Sequence, residues 1–230
     1  MKYIHNILGI FCAFCLIFTF LITSVEAVAY WIPGYYEKEY SKYHVTDHVN
    51  MEMDHLLEVT QEMMAYLRGK RDDLHVPAIV NGVEREFFNA REIAHMEDVR
   101  RLFLGAILLR RFSVVGIILS ILLLFLLKAD VKRVLPKMIC LGTGLFFFLA
   151  AAFSLLISTD FTKYFIIFHH IFFDNDLWIL DPSTDLLINI VPEPFFMDTA
   201  FYIISIFAGS VLALFLFCFY IIRWQNRKGD

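Results

Sequence analysis

Apolar and polar positions alternate along this chain on a coarse scale: four long apolar runs, two aromatic-rich polar stretches and one short basic stretch. The runs cover residues 4–25, 102–127, 139–157 and 201–222, each close to the roughly 20 apolar residues that cross a bilayer core as a helix. The pattern predicts an α-helical polytopic membrane protein, a four-helix transmembrane bundle with a small extracytoplasmic α+β cap. Its boundaries are a first transmembrane helix over 1–28, a first cap segment over 29–101, a second helix over 102–127 and a cytoplasmic loop over 128–138. A third helix follows over 139–157, then a second cap segment over 158–198, a fourth helix over 199–222 and a cytoplasmic tail over 223–230.

Shorter periods organise the cap segments. Tyr30, Trp31, Tyr35, Tyr36, Tyr40 and Tyr43 surround Pro33-Gly34 just beyond the first run, where aromatic side chains ordinarily anchor at the membrane interface. An amphipathic helix is predicted over 49–67, with Met53, Leu56, Leu57, Met63, Met64 and Leu67 near one face and Gly69 as its stop. Residues 76–80 and 83–88 flank Asn81-Gly82, the pair a type I′ hairpin turn prefers. Asn89 with Glu92 three residues later forms a capping box, starting a helix that carries His95 and Asp98 and is expected to run into the second span. In the second segment Phe165, Phe168, His169 and Phe172 share a helical face, which predicts an aromatic helix lying in the interface. Asp174-Asn175-Asp176 should end it, 181–185 should turn, and 186–191 before Pro192 reads as a short strand or extended stretch.

Composition supports lipid as the solvent for much of the chain: 59% of 230 residues are hydrophobic and 17% aromatic. Charge sets the expected orientation. Lys128, Lys132, Arg133 and Lys137 crowd the loop between the second and third spans, and Arg223, Arg227 and Lys228 follow the fourth. The segment between the third and fourth spans has Lys163 alone against seven carboxylates, so both termini are expected in the cytoplasm. Ala27-Val28-Ala29 has the form of a signal-peptide cleavage site, but the preceding run is longer than the ~7–15 residues of a signal core. Arg110 and Arg111 interrupt the second run, and snorkelling to the headgroups accounts for them better than a wet cavity does. The four cysteines all fall in predicted spans, leaving the cap neither disulfide nor thiol nucleophile. Nothing in the net charge of −4 points to nucleic acid as a partner.

The chain contains no H-E-x-x-H, no G-x-S-x-G and no phosphate-binding loop. His44 and His48 have helix-compatible spacing, but no ligand cluster follows to make a metal site. What remains is histidine near the membrane boundary. In a helix, Arg91 precedes His95 by one turn and Asp98 follows by one, so the carboxylate is expected to orient the imidazole and favour its charged form. His169 and the adjacent His170 lie in the other cap segment, and helical spacing leaves open which of the two matters. A histidine at such a boundary is more often an amphipathic surface residue than a catalyst.

Taken together, His95-Met96-Glu97-Asp98-Val99 and the run from Phe168 through Trp178 to Leu180-Asp181-Pro182, of the form F-H-x-x-F-F-x-N-x-x-W-x-L-D-P, resemble the lipoprotein intramolecular transacylase family, Lit, of Gram-positive bacteria. The likeness spans nearly the whole chain, including Pro192-Glu193 and Phe195-Phe196, with Pro194 a small departure. It aligns the motif histidine with His169, not His170. It implies that the sn-2 acyl chain of a diacylglyceryl lipoprotein moves to the α-amine of its N-terminal cysteine, with His95 and His169 as the catalytic pair. It also implies a bacterial cell-membrane location with the site at the extracytoplasmic face, lipoprotein and membrane lipid as partners, and no cofactor or metal. Arg91, Asp98, Phe168, Phe172, Phe173 and Trp178 are the expected substrate-binding residues, the aromatic ones forming a wall that excludes water. The competing readings are a non-enzymatic membrane protein with a partner- or lipid-binding cap, and a lipid-ester hydrolase. A transporter is less favoured, because no span carries a midplane charge.

Overall fold

The computed structural model describes residues 2–157 and 159–229. In order along the chain these form α1 (Lys2–Glu26), which continues through a π-helical turn at Ala27–Trp31, then α2 (Tyr35–Lys42), α3 (Val45–Val49) and α4 (Met53–Leu67). The strands β1 (Pro77–Val80) and β2 (Val83–Glu86) come next, followed by α5 (Ala90–Leu126), α6 (Val131–Ile157), α7 (Phe161–Phe172), α8 (Leu186–Ile190) and α9 (Glu193–Gly229). Four helical stretches among the described residues are long and apolar enough to cross a membrane: Lys2–Trp31, Ala90–Leu126, Val131–Ala151 and Glu193–Lys228. The fold is therefore that of an α-helical polytopic membrane protein with one small strand pair. Two compact units divide the chain, one formed by Met1–Val25, Ile107–Asp160 and Tyr202–Asp230, the other by Glu26–Ala106 and Phe161–Phe201.

The first unit is built around α1. Ala13 is fully buried in a cluster with Ile139 of α6 and Cys218 of α9, and Ile17 packs with Phe207 and Val211 of α9. Small residues let the backbones approach, as helices in lipid require. A Cβ at Gly142 would lie 2.8 Å from Ala13 Cβ, and one at Gly116 of α5 would lie 2.9 Å from Cys15 Sγ. Buried hydroxyls return to their own helix, Ser120 to the Gly116 carbonyl at 2.7 Å and Thr143 to that of Ile139 at 2.7 Å. Phe112, Phe125, Phe148 and Leu155 point outward, as lipid-facing side chains should. Phe146 and Phe147 instead pack on the Ile17 cluster.

Helix ends differ from the apolar runs. α6 starts at Val131, inside the stretch predicted as loop over 128–138, because Asp130 caps it through the Arg133 N–H at 3.3 Å. Pro136 sits in its second turn and has no N–H to give Lys132 O; Gln225 Nε2 satisfies that carbonyl at 2.9 Å. α9 likewise starts at Glu193, before the predicted 199, with Pro194 tolerated in the first turn. Hydropathy marks the part of a helix that lies in lipid, not its full length.

In the second unit the hairpin forms as expected, Val80 pairing with Val83 across Asn81 (φ 54°) and Gly82 (φ 74°), the two positive dihedrals of a type I′ turn. The helix predicted over 49–67 is broken. Asn50 takes a left-handed conformation (φ 49°) between α3 and α4, and its amide donates to Asn81 Oδ1 at 2.8 Å. The stretch predicted as extended over 186–191 contains the short helix α8, whose Leu187 and Ile190 fall one turn apart and are both buried. The tyrosines are another correction. Trp31 is half-exposed, as an interfacial anchor should be, but Tyr35 and Tyr40 are buried. Tyr40 bonds Thr60 Oγ1 at 2.7 Å and Tyr35 bonds Thr199 Oγ1 at 2.6 Å, while Phe195 packs against both rings. Their hydroxyls find partners within the unit, so these residues serve as its core.

Candidate active site

The first turn of α5 is fixed by its cap. Asn89 Oδ1 accepts from the Glu92 N–H at 3.0 Å and Glu92 Oε2 accepts from the Asn89 N–H at 2.6 Å, the reciprocal box predicted from sequence. Glu92 is 1% exposed, and its other oxygen accepts from the Leu187 N–H at 2.6 Å. Asn89 Nδ2 in turn donates to Asp185 Oδ1 at 2.7 Å, while Asp185 Oδ2 accepts from the Asp181 N–H at 2.7 Å. Nearly two turns further on, Asp98 accepts from Asn175 Nδ2 at 2.8 Å and from Arg101 at 2.9 Å. Arg91 reaches across to the Asp176 carbonyl. These bonds tie the first turns of α5 to the chain between α7 and α9, on both sides of His95.

His95 and His169 come together. Each is 8% exposed, and their ring centroids lie 6.4 Å apart with the planes 32° from parallel. His169 Nδ1 is 2.7 Å from the Phe165 carbonyl. A carbonyl only accepts, so this nitrogen carries hydrogen and Nε2 of the neutral ring holds a lone pair. Phe165 (4.3 Å between centroids), Phe173 (5.6 Å) and Trp178 (4.7 Å, stacked at 30°) surround the His169 ring, and Phe173 also packs edge-on against His95 at 5.4 Å. His170 is exposed and meets the edge of Trp178, so burial separates the two adjacent histidines as the motif does.

Asp98 acts on His95 in the expected direction, favouring the charged ring, but burial outweighs it. Burial pushes the His95 pKa down to about 4; the neighbouring His169 adds to this, Asp98 opposes it and Arg91 reinforces it. The Asp98 oxygens accept from Asn175 and Arg101, and His95 Nδ1 is buried without a hydrogen-bond partner among the described residues. His169 is lowered too, chiefly by burial, with the Phe165 carbonyl acting in the opposite direction and His170 adding to the fall. Burial therefore favours the neutral form of both imidazoles. Among the predicted wall residues, Phe173 is buried; Phe168 meets the His169 ring edge-on at 5.5 Å but keeps 43% of its surface exposed, and Phe172, packed on Phe168 at 4.7 Å, keeps 49%. Sequence reasoning missed Phe165 as a wall residue and Asn175 and Asp185 as clamps, although Asn175 stands inside the motif run.

A family model described as lipoprotein intramolecular transacylase Lit matches residues 10–196. The chain belongs to the Lit family. An uncharacterised protein of Aquifex aeolicus (strain VF5) is 28% identical over 222 residues, covering 87% of this chain and 89% of that one. The fold is that of the membrane-integral Lit of Bacillus cereus, whose structure superposes with a TM-score of 0.81 at 20% identity, over 99% of this chain and all of that one. Two variants of that protein, one histidine replaced by arginine in the first and by alanine in the second, match with TM-scores of 0.75 at 20% and 19% identity. Coverage is 100% of this chain and 96% of that one for the arginine variant, and 98% and 97% for the alanine variant. The Lit family is one of membrane acyltransferases, and this member is a multi-pass membrane protein with four apolar helices among the described residues.

Proposed function

We propose that this protein moves the sn-2 acyl chain of a diacylglyceryl lipoprotein onto the α-amine of its N-terminal cysteine, working at the extracytoplasmic face of the cell membrane. The observation that carries this reading is the pair of buried imidazoles 6.4 Å apart, brought from two separate segments. No enzyme nucleophile is needed, because the substrate brings its own amine. The attack closes a medium-sized ring through the cysteine and the glyceryl carbons, so holding the folded-back conformer is a large part of the task.

An N-terminal amine has a pKa of about 7.7–8.0, so a usable fraction is neutral near pH 7. Once its nitrogen bonds the ester carbonyl it becomes acidic, and His169 Nε2 takes the proton. The same proton leaves with the glyceryl oxygen as the ester C–O bond breaks, a general acid–base role typically contributing about 10²–10⁴ in rate. His95 lends its unpartnered Nδ1 to hold the amine or the departing oxygen. The surrounding rings of Phe165, Phe173 and Trp178 keep out water, which would otherwise hydrolyse the ester.

The test is incubation of purified protein with a diacylglyceryl peptide bearing a free N-terminus. Transfer keeps the peptide's mass and fragmentation places an acyl group on nitrogen; release of free fatty acid would show a hydrolase instead. His95→Ala and His169→Ala should each give a folded, membrane-inserted protein that forms no N-acyl product, while His170→Ala keeps most activity. An active His169→Ala beside a dead His170→Ala would refute the site.

A further inference from the structure

Trp178 holds a buried polar atom with no use in the fold. Its Nε1 is shielded from solvent and has no hydrogen-bond partner among the described residues, although an indole N–H is a donor that usually finds one when buried. Its ring stacks on His169 at 4.7 Å. A second buried nitrogen without a partner among the described residues, His95 Nδ1, belongs to the other ring packed near His169. The turn carrying Trp178 is fixed on both sides: the Leu177 N–H donates to Asn175 Oδ1 at 3.0 Å and the Ile179 N–H to the Asp176 carbonyl at 3.1 Å. The donor is therefore in place before any ligand arrives.

Resting on the acyl-transfer reading above, we infer that the Trp178 N–H is the hydrogen-bond donor to the ester carbonyl oxygen of the substrate. When the amine nitrogen bonds the carbonyl carbon, the π pair moves onto that oxygen, and the indole N–H holds the resulting oxyanion. The C=O reforms as the bond from the carbonyl carbon to the glyceryl oxygen breaks, and the proton taken from nitrogen by His169 goes to that oxygen. No atom is gained or lost. The charged groups flanking His95 on its helix are committed elsewhere, Arg91 to the Asp176 carbonyl and Arg101 to Asp98 and Glu97. The indole N–H is the donor stacked beside His169 without a protein partner among the described residues, and a fixed donor in an aromatic-walled site acts strongly on developing charge.

The experiment compares wild type with Trp178→Phe and Trp178→benzothienylalanine, the latter keeping the bicyclic shape but lacking the N–H. With the diacylglyceryl peptide, kcat is expected to fall about 10²–10³-fold in both, the usual effect of losing one such donor. KM should stay within about threefold, and thermal unfolding should match wild type for the benzothienyl variant. Wild-type kcat in the benzothienyl variant overturns the inference, whatever Trp178→Phe does, because packing alone would then suffice. A wild-type protein that forms no N-acyl product overturns the acyl-transfer reading and this inference with it; an active wild type with a fully active isostere overturns the inference alone.

Discussion

Charging His95 places a cation where only 8% of the residue meets solvent and another imidazole lies 6.4 Å away. The penalty shows in its pKa, pushed down from the ordinary 6.5 to about 4. For such a group the stabilising contribution is fully present above the unfolded-state value and is lost as pH falls through the folded value. The thermal midpoint of the wild type should accordingly drop between about pH 6.5 and pH 4. His95→Phe should lose part of that dependence, and identical pH profiles for the two proteins would contradict a buried neutral imidazole. Helical spacing from sequence put Asp98 one turn from His95, where the carboxylate favours the charged ring, but did not give the carboxylate's hydrogen-bond donor from outside the helix. Spacing fixes which side chains are neighbours along one helix; it is silent about Asn175, which arrives from another segment and takes a carboxylate oxygen. Likewise, periodicity did not separate His169 from His170. The motif resemblance did, and burial supplies the physical distinction.

At the scale of elements, one buried side chain serves both sides of the junction between α5 and α8, beside the bond from Asn89 to Asp185. Glu92 accepts the Asn89 N–H that precedes its own helix and the Leu187 N–H that begins α8. Loss of a capping side chain costs about 0.5–2 kcal/mol, and a buried N–H left unpaired about 1–3 kcal/mol. Glu92→Ala should therefore destabilise the protein by about 1.5–5 kcal/mol in chemical denaturation. Glu92→Gln, which keeps one acceptor oxygen, should lose distinctly less. At a temperature where Glu92→Ala remains folded, acyl transfer should still fall at least about tenfold, because the turn that carries His95 keeps only the Asn89–Asp185 bond to the start of α8. The capping box and the hairpin were legible because each is a local contract between residues a few positions apart. The break at Asn50 and the helical state of 186–190 were not, since both depend on bonds to distant partners, Asn81 and Glu92.

For the molecule in its membrane, the four apolar runs and their count were plain from hydropathy, but hydropathy says nothing about which helix is central. Close backbone approach decides that, and it places α1 against α5, α6 and α9. The contact between Gly142 and Ala13 tests this claim most directly. A methyl at Gly142 would come within 2.8 Å of Ala13 Cβ, and neither carbon can rotate away because both are fixed to helix backbone. Gly142→Ala should therefore force α1 and α6 apart and cost about 1–3 kcal/mol, the usual penalty of overpacking, lowering the thermal midpoint in detergent or nanodiscs. Gly209→Ala is the matched control. Among the described residues nothing lies within 4 Å of the place its methyl would take on α9, so only helix propensity changes and the midpoint should hold or rise. Ala13→Gly on its own should destabilise mildly through lost propensity, by about 0.5–1 kcal/mol. Combined with Gly142→Ala it moves the methyl from one helix to the other and restores the gap. The double variant should then be more stable than Gly142→Ala alone, a coupling that only direct contact between the two positions produces. Additive effects would mean that α1 and α6 are not held by this contact, and the central place of α1 would need another basis.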